Sequence, residues 1–479
     1  MDILPWPCFY DSSSGILPSS SGVRTRRARP EESLLNPDSC RNKIGLLGPF
    51  SFGNLGNAAL QQTLVQHLTK RFPNAEFYGC CIDPEEPADA RQILPFPISR
   101  HVLRSGPQGA SVLNRVKENT SQDKQGANFQ WIKRAPLLSS LMSAARTVGF
   151  KAEKIREELA FCSEAHRFAK EFRLIVVGLG GVFDEVWGGK WGDLYSIFRW
   201  AVLARLAGTP LVHLSVGVEE INSRLGRFFC RTALSVAVYR SFRDVESKQK
   251  VEALGVKGEK HVFPDLAFAL ENGGCGGTAA DHRNPRAVGV SPMAYCDPRF
   301  SPIKDFSKYQ SYLKKLSSFV LWLLRNGYEV VLFPTQVCMD RSAMEELEAS
   351  VLEDLPRDLH ARLSVAKIRT VDECLELLSQ LRAIVTSRLH GVILSSLVGT
   401  PVLALSAASK IDRLMEDMGL ADYLLSIPRL ELPELIDRFQ KLEANQEAIR
   451  CGIQRKAAEY RSSVEAQFDL VFRPGLLNL

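Results

Sequence analysis

Residues Ala383–Leu405 read A-I-V-T-S-R-L-H-G-V-I-L-S-S-L-V-G-T-P-V-L-A-L, and this run decides the fold. Ala383–Thr386 has the apolar, β-branched character of a short buried strand. Gly391–Leu397 reads as a helix that is apolar on nearly every side. Gly399-Thr400-Pro401 is a turn, and Val402–Leu405 is the next strand. The only charge sits at the corner between the first strand and the helix, where Ser387, Arg388, Leu389 and His390 stand. A helix N-terminus offers free backbone N–H groups and the positive end of the helix dipole, so this corner suits a carboxylate or a phosphate. Taken alone, the four residues fit a helix-capping histidine and a solvated arginine equally well.

Two more segments repeat the pattern. Lys43–Leu47 is a strand candidate, followed by a glycine-rich turn from Gly48 to Gly56 and a helix carrying Leu60, Leu64 and Leu68 at i, i+4 spacing. The glycine spacing is wrong for a dinucleotide fingerprint, and no Gly-Lys-Ser/Thr follows to make a P-loop. Gly53 and Gly56 allow close backbone approach to a bound group. Asn54 and Asn57 offer amides there, with Asn57 expected to cap the helix. The second segment, L-I-V-V-G-L-G-G-V-F-D, places Gly178, Gly180 and Gly181 after the strand Leu174–Val177, with Asp184 just beyond. Ligands of open α/β sheets bind outside the carboxyl ends of the strands, so Asp184 is placed either to meet a substrate or to cap the next helix.

These motifs occur in one order: F-G-N-L-G-N-A-A-L, V-G-L-G-G-V-F-D, S-F-R-D-V-E-S, S-R-L-H-G, then G-T-P-V-L-A-L-S and K-I-D-R-L-M-E-D-M-G-L. Together they resemble the polysaccharide pyruvyl transferase family over roughly Ile44 to Leu420. The resemblance implies an α/β fold of two Rossmann-like domains facing across a cleft, the glycosyltransferase-B-like architecture. It implies transfer of pyruvate from phosphoenolpyruvate onto sugar hydroxyls as a ketal, with release of phosphate. It carries a phosphoenolpyruvate-binding role onto Arg243, Arg388, Leu389 and His390. Many family members carry Asp where this chain has Asn57.

Arginine suits such a donor because its planar fork grips an oxyanion through two hydrogen bonds. Arg243 and Arg388 each follow a strand, one in each half. Arg243 has a rival reading as an ion-pair partner of Asp244 or Glu246, and Asp265 reads best as a loop-capping acid. His390 is the candidate proton carrier, since an ordinary imidazole titrates near neutrality. Asp184 is the second candidate base. Asn54, Gly56, Asn57, Gly180 and Gly181 complete the substrate-binding set. No cofactor is implied, phosphoenolpyruvate being the donor substrate, and no cysteine or histidine spacing suggests a metal. Two other readings stay open: a glycosyltransferase of the same architecture using a nucleotide sugar, and a non-catalytic sugar- or anion-binding member.

Composition bounds the rest. The 479 residues suggest more than one domain. A formal charge of +6 suits anionic substrates and is compatible with peripheral association at an anionic membrane, but not with a dedicated nucleic-acid binder. The 11 scattered cysteines fit a reducing cytoplasm better than a disulfide framework. The sequence predicts no spanning helix and no signal peptide. Residues 1–41 are expected to be a disordered tail. Residues 42–270 form the first domain, with a flexible and helical insertion around 100–170. A linker covers 271–284 and the second domain 285–445. A terminal helix from 446 is expected to cross back onto the first domain. The resemblance implies a sugar or a lipid-linked oligosaccharide as acceptor, and the oligomeric state is not readable.

Overall fold

The computed structural model describes residues 42–48, 53–79, 93–95, 155–186, 189–271 and 283–473. The expected tail, most of the expected insertion and most of the expected linker lie outside these residues. Two sheets make up the described chain. The first comprises β1 (Lys43–Leu47), β2 (Glu76–Gly79), β3 (Ile93–Pro95), β4 (Phe172–Val177), β5 (Leu211–Val216), β6 (Tyr239–Phe242) and β7 (His261–Val262), in the order β3-β2-β1-β4-β5-β6-β7. The second comprises β8 (Ala287–Ser291), β9 (Glu329–Leu332), β10 (Leu363–Val365), β11 (Ala383–Thr386), β12 (Val402–Ser406) and β13 (Leu424–Ser426), in the order β10-β9-β8-β11-β12-β13. Every pairing is parallel.

Each half therefore has the doubly wound order of a Rossmann sheet, and each reverses direction at one point. The reversals fall between β1 and β4, and between β8 and β11. Those are the strands that carry the glycine-rich loops and the Arg388–His390 corner. The helix Leu55–Arg71 lays Ala59, Leu60, Leu64 and Leu68 on the first sheet, as its apolar spacing dictates. One apolar core runs through both halves, holding Ile44 and Leu64 together with Val290 and Leu394. A second core, with Phe161, Trp200 and Phe229, covers the other face of the first sheet.

The last helix, Gln446–Val471, starts against the second half, where Gln454 lies against Gly399. It ends on the first. Phe468 stacks on His67 at 4.6 Å, and Arg461 donates to the carbonyl of Leu270 at 2.9 Å. Gln467, fully buried, accepts from Ser215 Oγ at 2.9 Å and donates to Ser241 Oγ at 2.7 Å. Ser215 sits at φ 48°, where the β5–β6 register shifts. Non-glycine residues seldom adopt that conformation, and the buried glutamine holds it.

Three local expectations change. A helix is expected from Ile132 to Arg173; its described part covers 155–169, and Phe172–Arg173 already belong to β4. The segment from Val262 to Ala269 looks strand-like, but β7 stops at Val262 and Leu266–Ala269 is a 3-10 turn. Pro264 cannot donate to a ladder, and Asp265 Oδ1 takes the Ala267 N–H at 3.1 Å, so the chain turns. The short run Val236–Tyr239 reads from its sequence as a strand leading into S-F-R-D, but helix continues through Val236 and β6 starts at Tyr239.

Candidate active site

The carboxyl ends of the two sheets meet. Leu55 N–H donates to the Thr335 carbonyl at 3.1 Å, and Val337 N–H to the Gly53 carbonyl at 2.7 Å. Asn54 forms an antiparallel bridge with Gln336. Gly53, at φ +74°, permits this contact, since a Cβ there would stand 2.9 Å from Cys338 Sγ. Gly56 lies flat against the His390 imidazole, and a Cβ at that position would overlap the ring. The glycine in the first half is thus the floor under the histidine of the second.

Asn54, not Asn57, caps the helix. Its Oδ1 accepts from Gly56 N–H at 2.9 Å and from Asn57 N–H at 3.2 Å. The helix begins at Leu55, which makes Asn57 its third residue, with its Oδ1 3.5 Å from where a Cβ on Gly180 would be. Gly180 has φ +80°. The Arg243 guanidinium lies over the backbone at Gly217, where a Cβ would come within 2.6 Å of Cζ, and faces Gly181 at 3.6 Å. Arg243 is 7% exposed; its Nη2 is 3.5 Å from Glu219 Oε1 and its Nε 3.5 Å from Asp244 Oδ2. Asp244 also caps the next helix by accepting from Ser247 N–H at 2.7 Å. Glu246 pairs instead with Lys250 at 2.6 Å and with Arg413.

The second arginine is differently engaged. Arg388 directs Nε and Nη2 at the two carboxylate oxygens of Asp340, Nε at 3.0 Å. Asp340 has no exposed surface and also accepts from Ala294 N–H at 3.0 Å. The fork of Arg388 therefore holds a protein carboxylate, while its backbone starts the helix Leu389–Leu397. Leu389 and His390 form the first turn of that helix, and Leu389 is buried in the shared core.

His390 Nε2 is buried without a hydrogen bond, 4.0 Å from Asp265 Oδ1. Asp265 Oδ2 is likewise buried and unbonded, as are Ser291 Oγ, Thr335 Oγ1 and Gln336 Oε1, all at strand ends or the loops that follow them. Buried polar atoms normally find partners, so this group is poised for a polar guest. Burial lowers the His390 pKa; Asp265 pulls it back up, while Arg243 and Lys410 push it further down, so the resting imidazole is neutral at pH 7. Lys410 lies near the start of the helix Ser409–Asp417, its Nζ 3.9 Å from Glu219 Oε1. Burial and then Arg243 lower its pKa, against Glu219 and Asp184. Asp184 Oδ1 accepts from Val186 N–H at 2.8 Å.

The model of one family, polysaccharide pyruvyl transferase, matches residues 54–409. The chain belongs to that family. No curated protein matches the chain significantly. Solved structures similar to it include the S. aureus MnaA–UDP co-structure, at 10% identity and TM-score 0.49 over 92% of this chain and 98% of that one. Another is the UDP-GlcNAc 2-epimerase from Neisseria meningitidis bound to UDP-GlcNAc, at 10% and 0.46 over 89% and 99%. A third is the E. coli ADP-heptose lps heptosyltransferase II, at 14% and 0.38 over 85% and 99%.

In this pyruvyl transferase family member, the fold brings His390, Gly56, Arg243, Gly181, Asn57 and Gly180 to one junction, with Asp184 at its edge. Leu389 stands beside it buried in the core, and Arg388 stands beside it with two fork nitrogens committed to Asp340 and 29% of its side chain still exposed. Sequence reasoning missed Lys410, Glu219 and Asp340, and it gave Asp265 only a capping role. Lys410 had one signal, its place in K-I-D-R after the strand β12. Among the described residues no cluster of three His, Cys, Asp or Glu could hold a metal ion. None of the described helices is long and apolar enough to cross a membrane.

Proposed function

We propose that the chain transfers a pyruvyl group from phosphoenolpyruvate to two hydroxyls of a sugar, forming a ketal and releasing phosphate. The observation that carries this reading is the buried, unbonded Nε2 of His390, 4.0 Å from Asp265 Oδ1, on a ring whose pKa burial lowers, with Arg243 and Lys410 adding to that and Asp265 opposing it. The donor's carboxylate and phosphate would lie against Arg243, Lys410 and the N-terminus of the Leu389–Leu397 helix, which jointly favour dense negative charge. Those anions offset the two cations that depress His390, so the donor raises the imidazole's affinity for a proton.

The bond changes then follow. A sugar hydroxyl adds to C2 of the donor as C3 gains a proton, so the methylene becomes a methyl group. The C2–O bond to phosphate breaks, and a second hydroxyl closes the ketal at C2. Of the two hydroxyl protons, one ends on the methyl group and one leaves with phosphate. His390 is the carrier between hydroxyl oxygen and C3, and Asp265 steadies its charged form. The unpaired hydroxyls of Ser291 and Thr335 and the amide of Gln336 are suited to sugar hydroxyls. The setting that fits is exopolysaccharide or cell-wall glycan synthesis, with a lipid-linked acceptor at the cytoplasmic face of a membrane.

Incubation with phosphoenolpyruvate and a panel of aryl and lipid-linked glycosides tests the reading, through phosphate release and a gain of one pyruvyl mass. Turnover with a nucleotide sugar and no phosphoenolpyruvate would point to glycosyl transfer instead. His390→Gln should keep donor binding and slow turnover by ~10²–10⁴-fold, the usual worth of a general acid or base. A well-folded Gln variant at full rate would remove His390 from the mechanism.

A further inference from the structure

The helix Arg224–Val236 buries Phe229, Cys230, Ala233 and Leu234 and turns a different face outward. That outer stripe carries Arg224, Arg227, Phe228 and Arg231, all exposed and spaced three or four apart. The helix contains no Asp or Glu. Among the described residues no carboxylate pairs with any of the three arginines; Arg227 spends only its Nε, on the Ile221 carbonyl at 2.9 Å. Beside the stripe stands an aromatic row. Trp191 is 55% exposed and Phe228 54%. Trp191 lies 5.7 Å from Phe229, and Phe228 lies 5.7 Å from Phe198. The one acid at the start of the neighbouring helix, Asp193, is half-buried, and burial together with Asp184 pushes its carboxyl up to about 6.

We propose that this face docks on an anionic lipid bilayer. Exposed Trp and Phe are costly in water and stable at the headgroup level. Unpaired arginines are attracted to anionic headgroups and gain little from a neutral surface. The two features share one face, which is what an interfacial helix needs and what a water-facing helix avoids. The face also adjoins the site. Glu185, next to Asp184, accepts from Asn222 N–H at 2.9 Å and Ser223 N–H at 3.1 Å, which ties the site loop to the first turn of this helix. A bilayer held here brings headgroup-linked sugars to the edge of the junction between the sheets. The docking does not depend on the donor chemistry, and its test uses no phosphoenolpyruvate.

The test is flotation of the full chain with vesicles of phosphatidylcholine alone and of phosphatidylcholine with phosphatidylglycerol, at low and high salt. The expected result is binding only to the anionic vesicles, weakened by salt. Combined Arg224→Gln, Arg227→Gln and Arg231→Gln should lower vesicle affinity on the order of 100-fold, about fivefold per charge. Trp191→Ala with Phe228→Ala should remove the part of binding that survives salt. Unchanged thermal melting shows that each variant is folded. Equal binding to both vesicles, or unchanged affinity in the folded arginine variant, would overturn the proposal. So would a self-associating chain, seen by sedimentation, whose dimer is lost in the aromatic variant, because the face would then belong to a second copy.

Discussion

Arg243 and Arg388 look alike in sequence and differ in the folded chain. Each follows a buried strand of a Rossmann sheet, and each stands at the corner where anions bind. Arg243 keeps its acids at arm's length, with Glu219 and Asp244 both 3.5 Å away. Arg388 is bound through both arms of its fork by a carboxylate with no access to water. The difference lies in what the neighbouring loop supplies. Beside β6 the chain offers the backbone of Gly181 and Gly217, which leaves the guanidinium turned toward the junction. Beside β11 it offers Asp340, brought from the loop after β9. Arg243, though only 7% exposed, has long contacts that a guest anion can replace, whereas Arg388, 29% exposed, has two fork nitrogens committed to Asp340.

The sharpest way to break this comparison is Arg243→Gln. Removing a charge-assisted donor aimed at the guest should cut kcat/KM for phosphoenolpyruvate roughly 10³-fold, with thermal melting nearly unchanged. Asp340→Asn should do the reverse. It removes the counter-charge of Arg388, whose side chain is 29% exposed, from a carboxylate site with no exposed surface, at a cost of about 2 kcal/mol in denaturant unfolding. If Arg243→Gln melts early and Asp340→Asn is stable but cannot bind the donor, the two roles are exchanged.

Buried histidines give the same contrast on a pH axis. His213 lies in the first sheet, and burial lowers its pKa to about 3, helped by Arg240 and opposed by the Ala233 carbonyl. A depressed histidine means that the unfolded chain binds the proton first. Stability is therefore complete above the ordinary value near 6.5 and falls as pH drops below it, by roughly 2 kcal/mol at pH 5. His213→Gln should flatten that acid limb in unfolding measurements. Donor should not restore it, since His213 has no open side. A smaller effect is expected at Lys410, a third exposed and shared with Glu219. Lys410→Met should raise KM for the donor about tenfold, the worth of ~1.4 kcal/mol, and leave unfolding alone. An unchanged KM would leave Arg243 as the sole cation of the pocket.

Much of the fold was legible because apolar runs of strand length alternate with helical spacing on both sides of the glycine-rich stretch near residue 275. The junction at Gly56 and His390 was legible as two motifs but not as a contact, since nothing local says that one ring lies on the other glycine. Asn54 and Asn57 differ by three positions in one polar-glycine run, and only the first helical N–H groups decide which is the cap. Asp340 is 48 residues from Arg388 and sits in a loop with no pattern. Glu219 is the first of two adjacent acids after a strand, and its meaning depends on Arg243, Lys250 and Lys410 reaching it from elsewhere. Local chemistry reads from sequence; partners across sheets do not.

The grip of Gln467 on Ser215 and Ser241 has a consequence for how the chain is made. A ribosome adds residues at ~5–20 per second, so roughly 200 residues separate the completion of β7 from the arrival of this glutamine by about ten to forty seconds. Through that interval the nascent first sheet has β1 to β7 but lacks the ring that stacks on His67 and the helix that covers Phe268. A helix made roughly 200 residues later is what closes the first domain begun.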